Sequence, residues 1–340
     1  MPLYCVDKPL GITSHDVVAR ARRLLTTRRV GHAGTLDPLA SGVLLVMSHE
    51  ATKLSQFLTG HDKSYLAWVA LGLGTPTLDA EGPVVATADA RHIGAADVNA
   101  LIPRFLALDE QRPPAFSAIK QAGERSYTAA RRGDLVEPPA RPVGYRSIEL
   151  LAFADEVDDL PRRFSPGAGS DGSWHWRPAA DGRTFALPPT LRSPSPAIGA
   201  GHTAGPPAAK PGAHPVALLA LRVAAGTYVR SFARDLGVAL GVPAHLAGLV
   251  RTASGRLDLR DAVPLDELAT ATAVEPRAAL ELAQRRVDGA TATAIARGQR
   301  PPLEITERTA IWGPDGDLIA VLDPDDERPY RVARVFTRGS

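Results

Sequence analysis

Cysteine is all but missing from this chain. Cys5 stands alone, which excludes an intramolecular disulfide and any zinc site built on cysteines, and its apolar surroundings mark it as a buried strand residue. Long hydrophobic runs are missing too: none approaches the roughly 20 residues that span a bilayer. The opening MPLYCVDKPLGITSH lacks the basic-then-apolar layout of a secretory leader, so a cytoplasmic protein is expected. Several catalytic signatures are also absent. There is no GxxxxGK[ST] phosphate loop, no HExxH, no GxSxG elbow and no HxE followed by PCxxC. These absences argue against nucleotide hydrolysis, zinc proteolysis, lipase-type acyl transfer and zinc-dependent base deamination.

A large excess of either charge is missing as well. The formal net charge of +2 does not by itself announce a nucleic-acid partner, yet its distribution is uneven. Only five of the 39 basic residues are lysines (Lys8, Lys53, Lys63, Lys120, Lys210), and the rest are arginines, whose planar fork suits phosphates and stacks on bases. Between Asp16 and Asp37 lie Arg20, Arg22, Arg23, Arg28 and Arg29 and no acid, which creates a local positive field. A solvated helix face would look the same.

What is present builds a globular protein. With 340 residues and 44% hydrophobic content, the chain exceeds one compact core and suggests a large domain plus a smaller one. Thr13 and Asp16 have capping-box spacing ahead of Val17, Val18, Ala21, Leu24 and Leu25, which predicts an amphipathic helix with a basic outer face. A strand is expected over Val43 to Met47 and another over Tyr65 to Leu73, and a helix over Asp97 to Leu108. The apolar run Val216 to Val223, then Gly226, then Phe232, Leu236 and Leu240 reads as strand, turn and helix. Short β-rich runs, Asp317 to Leu322 and Arg331 to Phe336, with a turn at Gly313 to Gly316, suggest a small terminal β domain. Such irregular alternation favours a mixed α/β (α+β) architecture.

From about Asp155 to His214 the texture changes to crowded proline, glycine and serine. A flexible surface insertion is expected there, with a possible hairpin in the tryptophan-bearing stretch Trp174 to Leu187.

The most informative stretch runs from Gly31 through His32, Gly34, Leu36, Asp37, Pro38, Leu39 and Ala40 to Gly42. Three glycines, a proline and one carboxylate suggest a tight loop that fixes Asp37 and lets another molecule approach the backbone. An Asp followed by Pro is equally a good helix N-cap, so local spacing leaves both readings open.

A set of ordered blocks goes further. They are Asp7-Lys8-Pro9 with Gly11 and Ser14; Gly31-His32 with Gly34; Leu36-Asp37-Pro38-Leu39-Ala40 with Gly42; and Glu50-Ala51-Thr52-Lys53. Next come Asp62-Lys63-Ser64-Tyr65, Leu78-Asp79-Ala80-Glu81-Gly82, and Pro114-Ala115-Phe116-Ser117-Ala118-Ile119-Lys120 with Gly123, Tyr127 and Arg131. Arg141-Pro142-Val143, Gly226-Thr227-Tyr228-Val229-Arg230 and Asp235-Leu236-Gly237 complete the set. In these blocks, spread over nearly the whole chain outside the insertion, the sequence resembles the bacterial tRNA pseudouridine-55 synthases, the TruB-type pseudouridine synthases.

The resemblance implies a pseudouridine-synthase fold, with a large mixed, mostly antiparallel sheet in a catalytic domain over 1–284 that carries the 155–214 insertion. Residues 285–340 would form a small β-barrel of the PUA type that binds RNA, cued by Gly289 and Arg297-Gly298-Gln299. It also implies isomerisation of uridine 55 in the T-loop of tRNA, with no metal, no cofactor, no membrane and no obligatory protein partner, in a monomer. Asp37 falls on the family's essential aspartate. Such a carboxylate can stabilise or bond to an oxocarbenium-like ribose while the base turns from N1 to C5 attachment. Whether it attacks C1′, attacks C6 or takes a sugar proton stays open here.

Tyr65 falls on the tyrosine that stacks on the uracil and helps move the C5 proton, and Arg230 on the arginine that pairs with and orients the carboxylate. His32 matches a histidine that holds the target base outside its loop. Tyr228 is expected on an extended segment that shares a face with Arg230, and Leu249 in the pocket lining. Lys8, Gly31, Lys120, Arg28 and Arg29 are the remaining positions expected to meet RNA. The family arginine after the pocket leucine is Val250 here, leaving only Arg251. Rival readings are a guide-RNA-dependent synthase subunit, a non-catalytic tRNA-binding or folding module, and a carboxylate-based nucleoside hydrolase that would release uracil.

Overall fold

The computed structural model describes residues 1–116, 120–121, 124–125, 138–168, 174–186 and 214–336. Its centre is a nine-stranded sheet. In chain order the strands are β1 (Leu3–Lys8), β2 (Val30–Ala33), β3 (Ala40–Ser48), β4 (Lys63–Leu71), β5 (Tyr145–Ala154), β9 (Val216–Val223), β10 (Ala244–Ser254), β11 (Leu257–Asp258) and β12 (Val263–Pro264). The intervening β6 (Arg163–Ala168), β7 (Trp174–Pro178) and β8 (Arg183–Thr184) form a separate sheet within the insertion. The main order is β5-β9-β4-β10-β3-β1-β12, with β2 on β3 and β11 on β10. Only β10 with β3 and β1 with β12 run parallel; the other pairs are antiparallel. The fold is thus mixed α/β with a mostly antiparallel sheet.

The sheet is buried on both faces, which is why its central strands read as continuous apolar runs rather than as alternating ones. Along β3, Leu44 and Val46 point to one side and Val43, Leu45 and Met47 to the other; along β4, Ala67, Val69 and Leu71 oppose Leu66, Trp68 and Ala70. Helices cover the first side. The helix α1 (Ser14–Leu24) packs Val17, Val18 and Ala21 on β1 and β3, and α2 (Ala95–Leu106) and α3 (Val229–Leu240) meet through Phe105 and Phe232, ring centroids 5.0 Å apart.

Local chemistry explains these helices. Thr13 caps α1 through its hydroxyl and Asp16 returns the bond to the Thr13 N–H, the reciprocal box that the spacing predicts. Asp97 does not begin α2 as expected; it is the third residue and its carboxylate accepts the Gly94 N–H at 2.8 Å.

The opposite side carries two surprises. The insertion is not merely peripheral: Phe164, Trp176 and Phe185 are buried in the cluster around Trp68, with Phe164 edge-on to Trp68 at 5.9 Å. Strand β6 is central in this small sheet, so the expected hairpin begins earlier than Trp174. Burial of these aromatics takes apolar surface out of water and works against the entropy cost of ordering a proline- and glycine-rich segment. Residues 169–173 and 187–213 of the insertion lie outside the described residues, as do Gly123, Tyr127 and Arg131.

The C-terminal strands β13 (Ala283–Arg286), β14 (Thr309–Trp312), β15 (Leu318–Asp323) and β16 (Arg331–Val335), with the helix α4 (Gly289–Ala296), form a four-stranded sheet of order β13-β14-β15-β16. Among the described residues its outer strands do not pair, so the closed barrel expected from the sequence is an open sheet here. One face of it, with Ala310, Trp312, Leu318, Val321 and Phe336, joins the same cluster as Trp68; its other face has a core of its own around Ile295, Ile311, Leu322 and Tyr330.

Candidate active site

Asp37 sits at the helical side of the sheet, in the connection from β2 to β3. The connection is a turn, closed by the Ala40 N–H donating to the Asp37 carbonyl at 3.1 Å, and no helix follows it. The helix-cap reading of Asp37-Pro38 therefore fails. The turn is pinned from three directions. Ser14, buried at the start of α1, accepts the Leu36 N–H at 2.8 Å and donates to the Leu36 carbonyl at 3.0 Å. The Gly11 N–H donates to the Pro38 carbonyl.

From below, Arg251 of β10, only 1% exposed, spends its whole guanidinium on the loop. Nε donates to the Val43 carbonyl at 2.6 Å, Nη2 to Gly34 at 2.9 Å and Nη1 to Thr35 at 3.4 Å. A Cβ on Gly42, whose φ is +99°, would lie 2.2 Å from the Arg251 carbonyl oxygen, so only glycine lets β3 approach β10 this closely.

The Asp37 side chain is 36% exposed and meets a buried arginine. Arg230 Nε lies 3.0 Å from Asp37 Oδ2. The same guanidinium also lies 3.4 Å from Asp79 Oδ2, and donates to the Thr77 carbonyl at 3.0 Å and the Phe116 carbonyl at 2.9 Å. All three nitrogens of Arg230 are thus engaged, which fixes the geometry of Asp37 before any substrate arrives.

Asp79 is itself buried, and loss of water pushes its carboxyl pKa up against the opposing pull of Arg230. Thr77 Oγ1 donates to Asp79 Oδ1 at 2.6 Å and holds it in place. Contrary to expectation, Arg230 is not on an extended segment. It lies in the first turn of α3, whose cap is Tyr228, and the Tyr228 N–H donates to Gln111 Oε1 at 2.9 Å. Gln111 also donates to the Tyr145 hydroxyl, tying the start of α3 to β5. The Tyr228 hydroxyl pKa is raised, chiefly by burial.

Tyr65, half-buried, lies on β4 opposite Arg251 of β10, which in turn faces Gly42 of β3. Two strand spacings, about 10 Å, separate its backbone from the end of the Asp37 loop. Its side chain is on the helical face with Leu249, which is buried between Ala67 and Ala40 and packs with Leu36 and Leu39 beneath the loop. Tyr65, Leu249, Asp37 and Arg230 are therefore brought to one side of one sheet.

His32, on β2, is partly buried beside His15, with ring centroids 5.7 Å apart. Burial, with His15 and Arg251 adding to it, holds its pKa down at about 4. At neutral pH His32 is an uncharged ring, suited to packing on a base rather than to pairing with a phosphate.

The other expected contacts divide. Gly31 is partly exposed on β2, and Arg28 is exposed beside it. Arg29 is exposed but ion-paired with Glu50, and Arg20 with Asp266. Arg22 and Arg23 are exposed and form no ion pair among the described residues. Lys120 lies in a two-residue strand whose side chains are outside the described residues.

Lys8 corrects the expectation: it is 0% exposed, and its Nζ donates to the Pro9 and Ile12 carbonyls. Burial lowers its pKa to about 8 although Asp37 and Glu81 oppose the shift. In this structure it is a buried charge beneath the site and not a surface RNA contact.

With this geometry in place, comparison with known proteins is decisive. The family model described as TruB family pseudouridylate synthase (N terminal domain) matches residues 22–168, and the tRNA pseudouridylate synthase B C-terminal domain matches 230–286. The chain belongs to the TruB family of pseudouridylate synthases. Its TruB relatives include tRNA pseudouridine synthase B of Deinococcus radiodurans, 44% identical over 99% of this chain and 100% of the relative. Those of Thermus thermophilus (43%, covering 99% of each) and Mycobacterium tuberculosis (35%, covering 97% and 94%) follow. Among solved structures, chains of a Cbf5-Nop10-Gar1 complex (TM-score 0.60, 22% identity, 99% and 85% covered) and of an archaeal box H/ACA sRNP Nop10-Cbf5 complex (0.59, 21%, 99% and 86%) share the TruB fold.

Three residues that hold the TruB site together, Arg251, Asp79 and Ser14, carry no assigned role in the sequence reading. The matching blocks contained Asp79 and Ser14, but which atoms they bond depends on contacts distant in sequence.

Proposed function

We propose that this TruB-family chain isomerises uridine 55 in the T-loop of tRNA to pseudouridine, as a cytoplasmic monomer that needs no guide RNA and no partner protein. The observation that carries the reading is the ion pair between the part-exposed Asp37 and the buried Arg230, whose other nitrogens are held by backbone carbonyls. That pair presents a single preorganised carboxylate, with Oδ1 unbonded among the described residues, at the edge of an apolar wall. A uridine turned out of its loop would lay its ring on Tyr65, over Leu249, with C1′ against Asp37.

The carboxylate stabilises positive charge on the ribose as the C1′–N1 bond breaks, the uracil turns, and C5 bonds to C1′. The reaction is an isomerisation, so neither an oxidant nor a group donor enters it. Arg22, Arg23 and Arg28 give the RNA backbone a basic approach beside the loop. The C-terminal sheet, with the exposed Arg285, Arg286, Arg297 and Arg300, acts as a second grip on the RNA.

Identity of 35–44% to proteins named tRNA pseudouridine synthase B, against 21–22% to the Cbf5 complexes, supports a stand-alone enzyme over a guide-dependent subunit. The test is an unmodified full-length tRNA transcript incubated with the purified protein alone. Pseudouridine at one T-loop position and no free uracil is expected. Product only after other proteins or a guide RNA are added would refute the stand-alone reading, and release of uracil would refute isomerisation.

A further inference from the structure

Glu81 stands at the end of an unusually constrained turn beside the catalytic pair. Leu78 takes φ +62°, a left-handed conformation that a leucine holds only under tertiary constraint. The constraint is visible. Leu78 and Ala80 exchange backbone hydrogen bonds with Leu246 of β10 at 2.9 and 3.0 Å, and Thr75 Oγ1 donates to the Asp79 carbonyl at 2.7 Å.

Asp79 is only 2% exposed and is turned inward, away from a substrate. Its Oδ1 accepts from Thr77 and from the Glu81 N–H at 3.1 Å, and its Oδ2 faces Arg230. Glu81 differs on every count: it is exposed, and its carboxyl forms no ion pair or hydrogen bond among the described residues. Its backbone is tied into the site: the Glu81 N–H donates to Asp79 Oδ1 at 3.1 Å, and Asp79 Oδ2 lies 3.4 Å from the Arg230 that pairs with Asp37.

We infer that Glu81 is the acid–base residue that takes the proton from uracil C5 and returns one to N1. This rests on the reading of the site given above. When the C1′–N1 bond breaks, its electron pair leaves with the uracil. The turned ring uses that pair to form C1′–C5, which leaves C5 tetrahedral with its hydrogen and a C6=N1 double bond. The C5–H bond then breaks, its electrons form C5=C6, and the C6=N1 pair moves to N1. One proton leaves C5 for the Glu81 carboxylate and one passes from the carboxylic acid to N1, so protons and electrons balance with no other reactant.

The turn and the two neighbouring carboxylates suit Glu81 to both halves. Partial loss of water at its carboxyl, then Asp79 and Asp37, raise its pKa to about 7, where giving and taking a proton are equally easy.

The experiment is single-turnover pseudouridine formation on a T-arm stem-loop transcript, with uridine or [5-²H]uridine at the target position, measured from pH 5.5 to 8.5. Wild type, Glu81→Gln, Glu81→Asp and Tyr65→Phe are compared. Glu81→Gln is expected to bind the stem-loop normally, to slow the reaction about 100-fold, to lose the ionisation near neutral pH and to show a primary deuterium isotope effect. Glu81→Asp is expected to recover part of the rate with a displaced pH profile.

A Glu81→Gln variant with wild-type rate, pH profile and isotope effect would overturn the assignment. So would an isotope effect raised by Tyr65→Phe and not by Glu81→Gln. Should Glu81→Gln fail to fold, a Glu81→Asp pH profile identical to wild type would overturn it as well. A wild-type protein that forms no pseudouridine would sink the reading of the site instead, so the two failures are distinct.

Discussion

At the scale of single residues, the site depends on charges that are held rather than merely present. Arg230 and Asp79 are both nearly inaccessible to water, and removing one leaves the other buried and unpaired. Breaking such a pair costs about 3–5 kcal/mol. Arg230→Ala should therefore lower the urea midpoint by that equivalent and abolish detectable turnover, whereas a purely surface ion pair such as Arg20 with Asp266 should matter little when cut.

His32 gives a second, pH-dependent outcome. Its folded pKa, about 4, lies below the ordinary value of 6.5, so the unfolded chain binds more protons between those limits and stability falls as pH drops through that window. Replacing His32 with glutamine removes this effect. The wild type should lose about 2 kcal/mol more than the variant on going from pH 6.5 to 4.5, read from paired urea titrations. An equal loss in both would show that His32 is not held neutral.

Neither pairing was visible in local spacing. Asp37-Pro38 looked as much like a helix cap as a catalytic loop, and it was resemblance that joined Asp37 to Arg230. The support that Arg251 gives the loop is invisible in its neighbours along the chain, because its carbonyl partners at Gly34, Thr35 and Val43 are brought to it by the parallel pairing of β10 with β3.

At the scale of elements, the strands and helices with strong periodicity were legible: α1 and its capping box, β3, β4, and the β9 to α3 unit. In the insertion a hairpin around Trp174 is expected from the tryptophans, but composition over a long window hides three aromatic anchors. Phe164, Trp176 and Phe185 pack against one another and against Trp68. Trp176→Ala should cost about 3–5 kcal/mol by chemical denaturation, the range for truncating a large buried aromatic. A loss within experimental error would return the insertion to the periphery.

The contact of β3 with β10 is equally exacting. Gly42→Ala places a methyl group on the Arg251 carbonyl and forces φ +99° on an alanine. It should destabilise the protein by at least about 2 kcal/mol and depress activity further than the same loss of stability introduced elsewhere.

At the scale of the whole molecule, α1, α2 and α3 lie on one side of the sheet, and the insertion and C-terminal strands on the other. Reaction and support are thereby separated: Asp37, Arg230, Tyr65 and Leu249 gather on the helical side, while Trp68, Trp176 and Trp312 share one core behind it. That shared core joins the C-terminal sheet to the catalytic one, so unfolding should be a single transition. Tryptophan fluorescence and far-UV circular dichroism should give coincident urea curves.

The chemistry depends on one carboxylate at the seam between the Asp37 loop and α3. Its most direct test is single-turnover pseudouridine formation by Asp37→Asn on a T-arm stem-loop, with binding measured on the same samples. No product above background is expected, with affinity within about threefold of wild type. An Asp37→Asn enzyme that turns over within about tenfold of the wild-type rate would contradict it.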